Sequence, residues 1–284
     1  MTAQAPLHEH CFVQCENGYR VHVIDRGAGP VVVFLHGSGP GASGHSNFRG
    51  NYPEWADQGY RCLVIDLVGF GFSDKPDDVK YPLAFFVECV KQTLDAMGVA
   101  TCAVVGNSLG GAVAVGLALD FPELVSRLIL LAPGGMSPRE EYLQMPAMQK
   151  MLQVYAASDG ELTEAGLREF FEFGLVYDAR HITDALMAER RQVLAQMNPQ
   201  VMLTMEIPYL AERLSELVCP VLVFWGASDR MMPESGLLAM ARHCRAMKLI
   251  LLSECGHWVM VEHEALFNSE CLRFLAAEGA HIPS

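Results

Sequence analysis

The chain has 284 residues, 51% hydrophobic and 19% charged, which is enough to bury one large core with or without an insertion. Its formal charge of −13 leaves no basic stripe to neutralise phosphates, so nucleic acid is excluded as a partner and an anionic substrate needs a locally placed cation. Nine cysteines without regular spacing fit reduced thiols in a cytoplasmic protein and not a disulfide framework.

Met1–His10 has neither a basic n-region nor an apolar h-region, so no secretory signal is expected there. Cys11–Cys15 and Tyr19–Arg26 then read as two antiparallel strands around a turn at Asn17-Gly18. His8, His10, Cys11 and Cys15 are the one cluster of soft ligands. Alternation puts Cys11, Val13 and Cys15 on a single strand face, which favours core cysteines over a metal site.

Val31–Leu35 reads as a buried strand, followed by His36-Gly37-Ser38-Gly39-Pro40-Gly41-Ala42. Gly37-x-Gly39-x-x-Ala42 imitates a dinucleotide fingerprint, with Asp66 as a distant ribose acid. Against that, two strands already precede this one. Pro40 and Ser43-Gly44-His45 also extend the loop and leave no immediate helix. The better reading is a loop that presents backbone N–H groups to an oxyanion, with His36 bracing it.

Arg61–Asp66 is the next strand and Gly69-Phe70-Gly71-Phe72-Ser73-Asp74 its exit loop; Tyr81–Met97 has helical periodicity and stops at Gly98. The β-type run Ala103–Val105 leads into Gly106-Asn107-Ser108-Leu109-Gly110, and the small-residue helical run Ala112–Leu119 follows. Gly-x-Ser-x-Gly between a strand and a helix is a nucleophile elbow, a turn so tight that its neighbours must be small. Ser108 then stands at the C-terminal edge of the sheet with the helix N-terminus behind it. The bland alternative is a glycine-softened junction carrying an idle serine. The apolar window Ala103–Leu119 is broken by Asn107, Ser108 and several glycines, so it is not read as a membrane span.

Val125–Leu131 is a further buried strand. From Met136 to Leu214 the pattern turns helical and rich in Met and Phe, including Met148, Met151, Phe170, Phe171 and Met202, with no strand of comparable β-character. The reading is a helical lid, 136–214, inserted in a core made of 1–135 and 215–284. Most of its Met and Phe residues pack against the core, and a minority line a soft apolar pocket. Strands resume at Val221–Trp225 and Lys248–Leu252, with helices at Glu234–Arg242 and Glu264–Leu275. Strands alternating with helices imply a mostly parallel eight-stranded sheet covered on both faces, an α/β architecture opened by the antiparallel hairpin.

A serine nucleophile needs a base, and the base an orienting acid. After the elbow, the exit loop of Val125–Leu131 holds no acid, that of Val221–Trp225 holds Asp229, and that of Lys248–Leu252 holds His257. Taken singly, Asp229 is an ordinary surface aspartate and His257 a satisfied loop histidine; together with Ser108 they form a catalytic set. His243 sits in a helix, His263 starts one and His281 falls in the tail.

Three motifs, Ser38-Gly39-Pro40-Gly41-Ala42, Gly106-Asn107-Ser108-Leu109-Gly110-Gly111 and Cys255-Gly256-His257-Trp258, make the chain resemble the α/β-hydrolases, and within them the meta-cleavage product hydrolases that split carbon–carbon bonds of ring-opened catechols. The resemblance runs from about Cys11 to Phe274 and is weakest across the lid. The order Ser108, Asp229, His257 is the one such a fold uses. The resemblance implies the α/β-hydrolase fold, those three residues as the triad, and backbone N–H groups of Ser38 and Leu109 as the oxyanion hole. It also implies Asn47, Asn107, Arg190, Trp258 and Gly39 around the substrate's carboxylate and 2-oxo end, no cofactor or metal, and a homodimer. Arg191 beside Arg190 is the competing cation, and a solvated lid arginine the bland reading of either. Two departures stand out: Val68 where the family often has Pro, and Val259-Met260 in place of a more polar pair.

The activity implied is hydrolysis of a 2-hydroxy-6-oxo-hexa-2,4-dienoate, an anionic small molecule from aromatic catabolism. A carboxylesterase with the same triad, or a ligand-binding protein on a hydrolase fold, are the competing readings.

Overall fold

The computed structural model describes residues 9–157 and 162–277. Among them eight strands form one sheet: β1 (Glu9–Gln14), β2 (Arg20–Arg26), β3 (Val31–Leu35), β4 (Arg61–Ile65), β5 (Cys102–Asn107), β6 (Val125–Leu131), β7 (Val221–Gly226) and β8 (Met247–Leu252). Across the sheet they run β1-β2-β4-β3-β5-β6-β7-β8. β2 is antiparallel to both β1 and β4, and all other neighbours are parallel. The β1–β2 hairpin turns at Gly18, whose φ of +93° is one that residues with a side chain rarely adopt.

Alternate residues of β3 leave the sheet on opposite sides. Val33 and Leu35 join the core shared with helices Leu83–Ala96 and Leu109–Asp120. Val32 and Phe34 join the core shared with Tyr52–Asp57 and Glu264–Ala276. A strand buried on both faces reads as a continuous apolar run, which is why VVVFL contains no polar residue. β3 lies between β4 and β5, so the chain crosses from one side of β3 to the other between those two strands. That reversal opens a crevice at the C-terminal ends of β3 and β5, where open α/β sheets place their ligands.

Between β6 and β7 the chain forms helices Arg139–Gln144, Pro146–Ala156, Glu164–Gly174, Asp184–Leu194 and Pro199–Thr204. Side chains of Thr163, Thr183 and Asn198 accept backbone N–H bonds at three of the helix starts. Two local expectations are corrected. Tyr81–Pro82 is a short extended piece paired in parallel with Met205–Glu206, so the helix begins at Leu83, and the one strand within 136–214 among the described residues is the two-residue piece Met205–Glu206. Pro82, extended at φ −71°, ψ 162°, sets that start. Ser43-Gly44-His45 does not prolong the loop after β3 but opens a helix, Gly44–Phe48, capped by Ser43, whose hydroxyl receives the Ser46 N–H while the Ser46 hydroxyl receives that of Ser43. A serine at the fourth position of the box, in place of Glu or Gln, hides it from pattern reading.

His8 and His281 lie outside the described residues. None of the described helices is long and apolar enough to cross a membrane.

Candidate active site

β5 ends in a turn that holds Ser108 at φ 55° and ψ −116°, a strained conformation for a residue with a side chain. The turn is over-determined by its surroundings. The Ser108 N–H donates to Leu131 O (3.1 Å), and its carbonyl accepts from Ala112 N (3.1 Å) and Gly134 N (2.8 Å). A Cβ at Gly106 would stand 2.4 Å from Gly110 O, and one at Gly110 would stand 2.1 Å from Leu35 O, so neither glycine tolerates a side chain. Ser108 is 7% exposed and faces a cavity of about 110 Å³.

His257, on the loop after β8, lines the same cavity. Its Nδ1 meets Asp229 Oδ2 at 2.8 Å, while Asp229 Oδ1 accepts the N–H groups of Met231 (2.7 Å) and Met232 (2.9 Å). A carboxylate opposite Nδ1 fixes the tautomer with the proton there, which leaves Nε2 as the imidazole's acceptor. The structure thus brings together a serine, a histidine and a buried carboxylate from the exits of β5, β8 and β7. Such a set can generate a nucleophile at Ser108.

The loop after β3 forms the facing wall. Ser38 and Gly39 line the cavity, and a Cβ at Gly37 would be 3.2 Å from Ser108 Cβ. His36 braces this loop from below: buried, it accepts the Leu67 N–H at Nε2 (3.0 Å) and donates from Nδ1 to Gly37 O (2.7 Å). Burial lowers its pKa, in keeping with a neutral ring. Leu109 turns its side chain into the core, and its N–H, at the first position of the helix, lacks an intrahelical partner. Asp66 is fully engaged. Its carboxylate accepts Gly44 N (2.7 Å) and Phe72 N (2.9 Å) and pairs with His22 (2.8 Å). Burial works against its charge, but the His22 bond and the neighbouring histidines hold its pKa below the usual range.

A polar chain of three buried side chains forms part of the cavity wall. Arg190 Nη2 donates to Asn47 Oδ1 (2.8 Å), Asn47 Nδ2 to Asn107 Oδ1 (2.9 Å), and Asn107 Nδ2 to Leu131 O (3.2 Å). The guanidinium lies over the rings of Trp258 (4.8 Å) and Phe171 (5.5 Å). It is 1% exposed, no carboxylate pairs with it among the described residues, and its Nε has no partner. Burial, with the Arg49 charge adding to it, pulls its pKa down to about 9, so it remains a cation at neutral pH. Arg191 points the other way, pairing with Glu164 at the surface (2.7 Å), which removes it as the competing cation. An isolated buried cation is costly, and an anionic ligand can supply its counter-charge.

Elsewhere the lining is largely apolar, with Met148, Met151, Phe170, Leu175, Met202 and Met231. All 20 lysines and arginines lie among the described residues, and only Arg190 lines the cavity. Lys150 bonds to Glu169, and Arg230 donates to Phe173 O while stacking on that ring at 4.6 Å. Sequence reasoning singled out the lid methionines and Phe170 as a group but missed Leu175 and Met231. Met231 sits two residues after Asp229, and that proximity was the available signal.

A family profile described as alpha/beta hydrolase fold matches residues 30–264. Over 270 residues the chain is 33% identical to a 2-hydroxy-6-oxo-6-phenylhexa-2,4-dienoate hydrolase of Burkholderia cepacia, with 92% of each chain covered. It is 32% identical over 271 residues to a 2-hydroxy-6-oxononadienedioate/2-hydroxy-6-oxononatrienedioate hydrolase of Comamonas testosteroni, again with 92% of each covered. Among solved structures, a meta-cleavage product hydrolase from Pseudomonas fluorescens superposes with a TM-score of 0.78 at 25% identity, covering 93% of this chain and 97% of the other.

Proposed function

The chain belongs to the α/β-hydrolase fold family and, within it, to the meta-cleavage product hydrolases, and from that premise we propose that it hydrolyses the carbon–carbon bond of a 2-hydroxy-6-oxo-dienoate whose distal acyl group is uncharged and apolar. One observation carries the reading: a buried guanidinium that no carboxylate pairs with among the described residues lines the same cavity as Ser108 and His257. A simple ester has no use for that cation, whereas a dienoate carboxylate does. The relatives' names divide between a phenyl end and a second carboxylate. The Met- and Phe-rich lining of this cavity, with Arg190 as its one cation, favours the first, because a second carboxylate there would be desolvated without a counter-charge.

Arg190 holds the substrate carboxylate, assisted by Trp258 and Gly39, and Asn47 and Asn107 face its 2-oxygen. His257 assists ketonisation: the 2-hydroxyl gives up its proton and carbon 5 gains one. Ser108 Oγ then attacks carbon 6 while its proton passes to His257 Nε2, and Asp229 stabilises the imidazolium. The backbone N–H groups of Ser38 and Leu109 receive the charge on the carbon-6 oxygen. The C5–C6 bond breaks, its electron pair passes into the conjugated 2-oxo system, and His257 returns the proton to the departing dienol. Water releases the acyl group as a carboxylic acid.

Residues 136–214 act as a lid on the core of 1–135 and 215–284. Nine free thiols suit the cytoplasm. A homodimer is supported by the unpaired edge of β8, where Leu251 is 53% exposed, since such edges are commonly covered; monomeric elution on sizing overturns it. The activity test is direct. Purified protein should bleach the yellow colour of a ring-fission product, and no bleaching across several such products with brisk ester turnover assigns it as a carboxylesterase.

A further inference from the structure

Glu262 ends the short helix Val259–Glu262 that follows the histidine loop. It pairs with no lysine or arginine among the described residues. Its carboxylate instead gathers three backbone N–H groups: Gly256 on Oε1 at 2.6 Å, and Tyr177 and Asp178 on Oε2 at 2.6 and 3.0 Å. The first of these is the residue before His257. The other two belong to the lid, just beyond helix Glu164–Gly174. The two segments also meet directly. Trp258 N donates to Leu175 O at 3.0 Å, and a Cβ at Gly256 would stand 2.8 Å from the carbonyl carbon of Val176. Leu175, His257 and Trp258 all line the cavity, so this seam joins its lid wall to its base.

We propose that Glu262 is a positioning residue, a staple that ties the lid segment Tyr177–Asp178 to the histidine loop at Gly256, so that His257 is held in register by a seated lid. The inference rests on reading His257 as the base for Ser108. Three N–H groups converging on one carboxylate are charge-assisted bonds, and they need an acceptor at both oxygens. Glutamine keeps the size and one acceptor but sets an NH₂ group against one of the two sets of donors. Aspartate keeps both acceptors on a shorter stem.

Phosphonylation of Ser108 by a small fluorophosphonate reads the base without a dienoate: an O–P bond forms, P–F breaks, and the serine proton leaves through His257. Glu262→Gln should slow labelling at least about tenfold while the unfolding midpoint stays within a few degrees of the parent protein, and Glu262→Asp should recover part of the loss. A folded Glu262→Gln protein that labels within about twofold of the parent overturns the staple. Amide exchange in the unmodified protein gives a second reading that no folding defect can spoil. The Tyr177, Asp178 and Gly256 amides should open together, and rates spread over more than about tenfold refute the coupling. If the unmodified protein resists the probe at Ser108, the catalytic reading fails instead, and exchange alone decides whether the staple exists.

Discussion

Asp229 and Arg190 are both buried ions placed beside one cavity, and the protein treats them in opposite ways. Asp229 is supplied from within, with two backbone N–H groups on one oxygen and His257 on the other. Arg190 has one good acceptor in Asn47 and a long contact to Pro40 O (3.4 Å), with its Nε unpaired. A side chain satisfied by its own chain is fixed before any ligand arrives, as preorganised catalysis requires. One left short of acceptors marks where the ligand completes the structure. On the proposed function, the contrast separates machinery from recognition inside a single pocket.

The sharpest way to break that division is at Ser108. Ser108→Ala should lower kcat by on the order of 10³ or more, because one member of a cooperating set is lost. Binding of the dienoate, measured by its absorbance shift, should survive, since Arg190 is untouched. A variant that keeps more than about a tenth of parental turnover removes Ser108 from the mechanism.

Arg190→Gln tests the other half. Loss of a sheltered, charge-assisted contact of roughly 2–4 kcal/mol should cost about 30- to 1000-fold in kcat/KM toward the dienoate. Neutral esters should hardly notice, because they carry no carboxylate. Equal losses on both substrates point to general lid damage, and Arg191→Gln, altered at a surface pair, serves as the matched control.

Much of this was legible in the chain because it is written locally. The elbow announces itself through glycines within two residues of Ser108, and Asp229 and His257 follow from counting loops after β7 and β8. Arg190 against Arg191 was not decidable from sequence. Neighbours on a helix point about 100° apart, and only the packing of Asp184–Leu194 on Gly41 selects one. There a Cβ would stand 2.2 Å from Arg190 O. Glu262 was invisible for a different reason: its partners at Tyr177 and Asp178 lie 85 and 84 residues away, and they are backbone N–H groups, which carry no residue-type signal. The helix at Gly44 escaped because Ser46 stands in for the usual Glu or Gln.

The distal end allows a test by substrate instead of mutation. Two dienoates that differ only in the acyl group, one phenyl and one ending in a carboxylate, should differ in kcat/KM by about 30-fold or more in favour of phenyl, since nothing there repays desolvation of a charge. Parity would mean that Lys150 or Arg230 leaves its present partner and reaches inward, and it would withdraw the apolar assignment.

The smallest effect is set by pH and comes from the same unpaired cation. In the free protein Arg190 has its pKa lowered to about 9, burial being the main cause. The fold therefore disfavours its charged form. Below pH 9 the native state carries that penalty in full, and as pH rises above 9 the folded protein sheds the proton before the unfolded one does, so this group's contribution to stability improves with pH. Carboxylate binding runs the other way, since it needs the proton. Because kcat/KM reports groups of the free enzyme, the dienoate value should be flat through neutrality and fall on the alkaline side. A neutral ester should lack this limb, and so should the dienoate reaction of Arg190→Gln, at its lower level. If Arg190→Gln keeps the same alkaline limb, another group titrates there, and the guanidinium is not the carboxylate's partner.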